Sequence, residues 1–297
     1  MPEWCPNLIM PGVAKCGTTT LHDILVQHPE ITGGVEKELR FLMDEEDPLK
    51  GACNLHRNGA AAYRSLYRDE GRGAFSFWLD ASPEYQYQRA PLDFIRQLDV
   101  KPRILFIFRE PSERLYSLYQ YARYHQRAVR DVASMEEFIA QIKPPAGPKI
   151  EGRRMLVNAW EDTYYDRCVE RWLDVVPESH LKAISLEQLN QDRDAMLTGI
   201  ADWLGLDPAP FGRQGARTTS NETVVTHSLL FNRVGKQVAR LLPDSAWAGQ
   251  LKRSVKSLNS SKIDRTEKQR NSGLLKELQQ EFRLSVERLH ALTGVTF

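Results

Sequence analysis

One lysine, two glycines and three hydroxyl residues occur together near the amino terminus, in a combination suited to binding phosphate. The stretch reads Gly12, Val13, Ala14, Lys15, Cys16, Gly17, Thr18, Thr19, Thr20. The apolar run before it is typical of a short buried strand, and the apolar residues after it have helical spacing. The amide groups and dipole at a helix amino terminus favour an anion at such a junction. The sequence therefore predicts a phosphate-binding loop between a strand and a helix.

A second potential anion site follows the apolar run from Ile104 to Phe108, which is typical of a strand buried on both faces. Arg109 stands directly after this run, and Ser117 falls about two turns into a helix predicted to begin near Pro111. Ligands of open α/β sheets bind at the carboxyl ends of the strands. A guanidinium group and a hydroxyl placed there could hold one phosphate from two sides.

Two neighbours of this site are predicted to be structural. We expect Ser112 to cap the helix and Arg114 to brace it, without contact to a ligand. Cys16 has no histidine in a position that would activate it, so a reactive thiol is not expected there.

The loop differs from that of nucleotide triphosphatases. Their lysine directly follows the last glycine and precedes Ser or Thr, whereas Lys15 comes two residues before Gly17. This difference argues against a P-loop kinase or NTPase-like enzyme, which we keep as the alternative function.

Both motifs resemble those of the sulfotransferases that use 3′-phosphoadenosine 5′-phosphosulfate (PAPS). The 5′-phosphosulfate loop of that family reads Lys, small residue, Gly, Thr, and its 3′-phosphate element has Arg and Ser at the separation of Arg109 and Ser117. The stretch Leu79–Tyr85 is similar to the family's acidic, Ser, Pro, x, Tyr segment, and Trp172–Leu189 to its helix, strand and Glu, x, Leu segment. The resemblance covers about 8–206 and is closest to the carbohydrate sulfotransferases of the heparan and chondroitin sulfate type.

This resemblance implies transfer of a sulfuryl group from PAPS to a hydroxyl or amine of a glycan or small-molecule acceptor. The products include 3′-phosphoadenosine 5′-phosphate (PAP), and the reaction requires no metal. The residues that the resemblance assigns to the nucleotide are Lys15, Cys16, Gly17, Thr18, Thr19, Thr20, Arg109 and Ser117. A binding module without catalysis is a further alternative, for which loss of Lys15 or Glu38 would be expected.

The resemblance also implies a catalytic base. The family segment Lys, Glu, x, His, Phe matches Lys37, Glu38, Leu39, Arg40 and Phe41, with Glu38 as the base and Arg40 in place of the usual histidine. The catalytic residues are therefore expected to be Lys15, Glu38 and Lys37. Lys15 is expected to stabilise the charge that develops on the leaving phosphate oxygen.

The elements that position these residues alternate between strand and helix. A helix is predicted over Trp160–Val175, a strand over Leu181–Leu186, and a closing helix from Arg265 to about Leu289. The stretches 44–59 and 143–154 read as loops. The fold is thus predicted to be α/β, a single domain over 1–297 with a P-loop-like parallel sheet flanked by helices on both faces.

Composition sets the remaining limits. The 40 Lys and Arg balance 39 Asp and Glu, so no overall field attracts nucleic acid or an anionic membrane. No apolar stretch has the length of a membrane span, and the four cysteines are too scattered for zinc or a disulfide scaffold. A cytoplasmic protein is expected, with the soluble catalytic part of a Golgi lumenal enzyme as the alternative.

Overall fold

The computed structural model describes residues 4–68, 75–126, 129, 132–144, 154–212, 224–226, 260–262 and 265–297. A parallel sheet of five strands lies at its centre, in the order β2-β3-β1-β4-β5. These strands are β1 Leu8–Gly12, β2 Ile31–Gly33, β3 Phe77–Asp80, β4 Arg103–Phe108 and β5 Leu181–Ser185. A separate antiparallel pair consists of β6 Val224–Thr226 and β7 Ser260–Lys262.

Helices connect and cover the strands. They are α1 Thr18–Leu25, α2 Leu55–Asn58, α3 Ala90–Arg96, α4 Pro111–Gln120, α5 Met135–Ile142, α6 Arg154–Val157, α7 Tyr165–Leu173, α8 Leu186–Gln191, α9 Arg193–Leu204, α10 Ala209–Gly212, α11 Arg265–Arg270 and α12 Ser272–Thr293. Within the described ranges, none of them is both long enough and apolar enough to cross a bilayer.

The central strands are buried on both faces, as their continuous apolar runs predict. Alternate residues of a strand point to opposite faces, and on one face Leu8 and Leu105 pack with residues of α1 and α9. On the other face Ile9 and Phe106 pack with Trp172 of α7 and with residues near the end of α12. The predicted α/β fold with helices on both faces is therefore confirmed.

The strand order places the two predicted phosphate sites side by side. β1 and β4 are neighbours, with Ile9 opposite Ile104 and Gly12 opposite Phe106. The chain leaves β1 towards β2 on one side of the sheet, whereas β4 and β5 lie on the other side. Ligands of open parallel sheets bind where the strand order reverses in this way. The loop after Gly12 and the residues after Phe108 thus share one edge.

Several predicted boundaries differ from the structure. The helix expected from Trp160 begins at Tyr165, because Glu161–Thr163 form a 3₁₀ turn and Tyr164 has a non-helical ψ of 80°. The closing helix is divided into α11 and α12, and the predicted loop 44–59 contains the short helix α2. Residues 145–153 of the other predicted loop lie outside the described ranges.

The segment that carries Glu38 is not a strand. β2 ends at Gly33, and residues 34–40 form bends and irregular backbone. Arg40 adopts a φ of 53°, which lies in the left-handed region and is incompatible with a strand. Glu36 is exposed and Glu38 is half-buried.

Candidate functional site

The predicted phosphate loop joins β1 to α1 and is anchored to the neighbouring strand. The Val13 amide donates to the Ile107 carbonyl of β4 at 3.0 Å, and the Cys16 amide donates to the Val13 carbonyl at 3.1 Å. Lys15 and Gly17 both have positive φ values, 74° and 93°. The loop therefore folds as a tight turn directly at the carboxyl edge of the sheet.

Gly17 is required at its position by two independent constraints. Its left-handed backbone disfavours any side chain with a Cβ atom, and a Cβ placed there would lie 2.8 Å from Cδ1 of Leu186. Gly17 is also the N-cap of α1, and no side chain of the described residues caps this helix.

Side chains close several of the other helix starts, although α7, like α1, has no side-chain cap among the described residues. Carboxylate or hydroxyl oxygens accept the first free amides of α4, α5, α8 and α9. The first amides of α1 lack such an acceptor, so they remain available to an anion. This open helix terminus is the feature that the glycine-rich sequence predicted.

Lys15 lies beside this terminus. Its Nζ is 4.0 Å from the centroid of the Tyr121 ring, at the end of α4. Burial, reinforced by the positive charge of Arg109, lowers the pKa of Lys15 from its ordinary value to about 8. Lys15 and Arg109 are thus close enough for their positive charges to repel one another.

A buried arginine on α4, Arg114, stabilises the phosphate loop through hydrogen bonds. Arg114 has no exposed surface; its Nε donates to the Ala14 carbonyl at 3.3 Å, and its Nη1 to Thr163 Oγ1 at 2.6 Å. This confirms that Arg114 is structural, although it braces the loop and not only its own helix. The predicted cap is wrong: Glu110, not Ser112, caps α4 by accepting the amides of Ser112 and Glu113. The longer Glu110 side chain reaches back over both amides from the N-cap position.

Tyr165 links the loop to the end of β4. Its hydroxyl donates to the Arg109 carbonyl at 3.0 Å and lies 3.9 Å from Sγ of Cys16. Burial raises the pKa of the Cys16 thiol to about 11, so a thiolate is not available at neutral pH. The side chain of Cys16 is therefore a packing group, as expected, and any contribution of its amide to the nucleotide stays a prediction.

Arg109 stands at the end of β4 with its guanidinium group already paired. It donates to Glu113 at 3.0 Å, and Glu113 also pairs with Lys268 of α11 at 2.6 Å. Ser117 is buried on α4, about two turns from the helix start. A phosphate that binds Arg109 must therefore compete with a carboxylate.

The segment of Glu38 forms a second cluster of charge. Glu38 accepts from Lys37 at 2.9 Å and from Arg40, and Arg40 also donates to Glu84 at 2.8 Å. Burial, followed by repulsion from Glu38, raises the pKa of Glu84. Among the described residues, no bond joins this cluster to Lys15.

Buried Asp80 at the end of β3 holds the segment in place. It accepts hydroxyl hydrogen bonds from Ser82 at 2.6 Å and Tyr85 at 2.9 Å. These two hydroxyls in turn accept the backbone amides of Arg40 at 2.9 Å and Leu42 at 3.0 Å. The predicted Asp, Ser, Pro, x, Tyr segment thus positions the backbone that carries Glu38.

Sequence reasoning missed Tyr121, Tyr165 and Glu84. Tyr121 lies four residues after Ser117, and helical spacing could have placed both on one face. Glu84 and Tyr165 gave no local signal, because their partners Arg40 and Arg109 are distant along the chain.

Comparisons with known proteins identify relatives of this chain. The model of the sulfotransferase domain family matches residues 6–232. Bifunctional heparan sulfate N-deacetylase/N-sulfotransferase 3 of Homo sapiens is 29% identical over 204 residues, and N-deacetylase/N-sulfotransferase 4 of Mus musculus is 29% identical over 208 residues. Each alignment covers 68% of this chain but 22% of the relative.

A solved structure supports the fold. The sulfotransferase from Alicyclobacillus acidocaldarius superposes with a TM-score of 0.62 at 22% identity, over 99% of this chain and 98% of that one. At this identity the likeness concerns the fold alone.

Proposed function

Because the chain belongs to the sulfotransferase family, as its motifs predicted, we propose that it transfers the sulfuryl group of PAPS to an acceptor on a glycan or small molecule. The observation that carries the proposal is the open amino terminus of α1, with Lys15 beside it and Arg109 at the neighbouring strand end. The uncapped amides of α1 with Lys15, and Arg109 at the neighbouring strand end, are complementary to a nucleotide with phosphates at both its 5′ and 3′ positions.

In the proposed complex, the loop residues and Lys15 hold the 5′-phosphosulfate. The residues assigned to it are Lys15, Cys16, Gly17, Thr18, Thr19 and Thr20. Arg109 and Ser117 bind the 3′-phosphate, after Arg109 exchanges Glu113 for the ligand. The buried Arg114 and Tyr165, which donate to the Ala14 and Arg109 carbonyls, hold the loop and the strand end in place during this exchange.

The transfer itself is proposed to be an in-line displacement at sulfur. A lone pair of the acceptor oxygen or nitrogen forms the new bond to sulfur, and the bond from sulfur to the 5′-phosphate oxygen breaks. Glu38 takes the proton that the acceptor loses, and Lys15 stabilises the negative charge on the departing oxygen. Lys37 pairs with Glu38 at 2.9 Å, and we propose that it orients the carboxylate for this step.

The acceptor is proposed from the relatives. The two named above are heparan sulfate N-sulfotransferases, so the amine of a glycan is the first acceptor to test, ahead of a hydroxyl. Since this chain spans 22% of their length, their full activities are not carried over. The single-domain organisation, the cytoplasmic location and the absence of a metal requirement stay predictions.

Two measurements test the proposal. In thermal unfolding, PAP should raise the Tm and ATP with Mg²⁺ should not; the reverse result would favour the kinase or NTPase alternative. Transfer of label from [³⁵S]PAPS to de-N-acetylated heparosan, compared with the N-acetylated polymer, then tests N-sulfation. PAP binding without transfer to these polymers or to a panel of small amines and alcohols would favour a binding module.

A further inference from the structure

The ammonium group of Lys15 has an unusual partner for a cation at this site. Arg109 pairs with the carboxylate of Glu113, whereas Lys15 has no carboxylate within salt-bridge distance among the described residues. Its Nζ instead lies 4.0 Å from the centroid of the Tyr121 ring. The face of an aromatic ring carries partial negative charge and attracts an ammonium group placed over it.

The Tyr121 ring reaches Lys15 from the end of α4, whereas Lys15 lies in the loop after β1. Tyr121 directly follows α4, and its backbone amide still donates to the Ser117 carbonyl, so the two residues lie one turn apart. The left-handed backbone of Lys15, with a φ of 74°, determines the direction in which its side chain leaves the loop. The end of α4 thus presents the aromatic face of Tyr121 to the loop that carries Lys15.

The surroundings of Lys15 otherwise oppose its charge. Burial and the nearby guanidinium group of Arg109, from β4, lower the pKa of Lys15 to about 8, and Cys16 of its own loop acts weakly in the other direction. A neutral lysine would neither attract the phosphates nor stabilise a leaving oxygen. A ring that interacts better with the ammonium than with the amine counteracts this loss.

We propose that Tyr121 is a positioning residue for Lys15, whose ring face holds the ammonium group at the phosphate loop before the nucleotide binds. The inference rests on the proposed function, because PAP is the ligand that reports it. The ring acts through Lys15, so its removal should change how PAP affinity depends on pH and not only its magnitude.

The test is calorimetric affinity for PAP between about pH 7 and 9.5, in the wild-type protein and in three variants. A lysine whose folded pKa lies near 8 loses its proton as the pH rises through that value, so wild-type affinity should fall above about pH 8. Tyr121→Leu should start this fall at lower pH and bind PAP about tenfold more weakly at pH 8. Tyr121→Phe retains the ring face and should follow the wild type.

Lys15→Ala is the reference, since it should lose affinity at neutral pH and show no alkaline fall. Failure of the wild-type protein to bind PAP would refute the proposed function itself. Binding with the same pH curve in the wild type and Tyr121→Leu would refute only the role of Tyr121, as would a Phe variant that behaves like the Leu variant. Thermal unfolding checks each fold, and Tyr121→Met replaces Tyr121→Leu if the latter does not fold.

Discussion

Replacement of Arg109 with alanine should weaken binding of PAP by an amount that the structure allows us to work out. Charged hydrogen bonds to the 3′-phosphate contribute about 1.5–3 kcal/mol. The free protein gives up the bond from Arg109 to Glu113, a half-buried pair at 3.0 Å that is worth about 0.2–1 kcal/mol. The difference is about 0.5–2.8 kcal/mol, or roughly a 2- to 110-fold rise in the Kd of PAP.

Adenosine 5′-phosphosulfate separates this effect from general damage, because it lacks the 3′-phosphate. Calorimetry on both ligands should show the loss for PAP and little change for adenosine 5′-phosphosulfate. Glu113→Gln is the matched opposite variant: it removes the competing carboxylate, so PAP should bind about 2- to 5-fold more tightly.

Two results would refute this reasoning. An equal loss of affinity for both ligands in Arg109→Ala would remove the 3′-phosphate from the contact. Weaker PAP binding by Glu113→Gln would mean that the carboxylate orients Arg109 for the phosphate and does not compete with it.

Three further substitutions test the remaining parts of the site. Lys15→Ala should lower kcat for sulfate transfer by about 10²- to 10³-fold with an unchanged Tm, and a loss of only a few-fold would exclude Lys15 from the mechanism. Glu38→Gln should keep the affinity for PAP but lose kcat, whereas the exposed Glu36→Gln should change neither; activity retained by Glu38→Gln would place the base elsewhere. Arg114→Met should lower the free energy of unfolding in urea by about 2–4 kcal/mol, because it leaves the Ala14 carbonyl without its buried donor, and a loss below about 1 kcal/mol would contradict the bracing role.

The loop and the strands could be predicted because their signals are local, and the anion sites stay predictions. A left-handed backbone and close packing require glycine at position 17, and a strand buried on both faces requires the apolar run that ends at Phe108. The separation of Arg109 and Ser117 follows from strand and helix geometry alone. These features depend on neighbours in sequence, so composition and spacing identified them.

The helix cap and the backbone of the Glu38 segment could not be predicted from neighbouring residues. Both Ser112 and Glu110 can cap a helix, and the choice of Glu110 depends on how the chain leaves β4. Residues 34–40 do not continue β2, because the Arg40 amide donates to Ser82 and Arg40 adopts a left-handed backbone. The local propensities of the residues did not decide either case, because the contacts that decided them form only in the folded protein.

The sequence by itself determined the α/β class, the family motifs and the residues proposed to bind the nucleotide. Only the tertiary structure decided which distant groups the charged side chains contact: Arg40 with Glu84, Glu113 with Lys268, and Lys15 with the ring of Tyr121. These pairs join residues that are far apart along the chain. Such contacts exist only after the order β2-β3-β1-β4-β5 has brought the strand ends to one edge, because a short-range pattern contains no information about which distant side chain will face it.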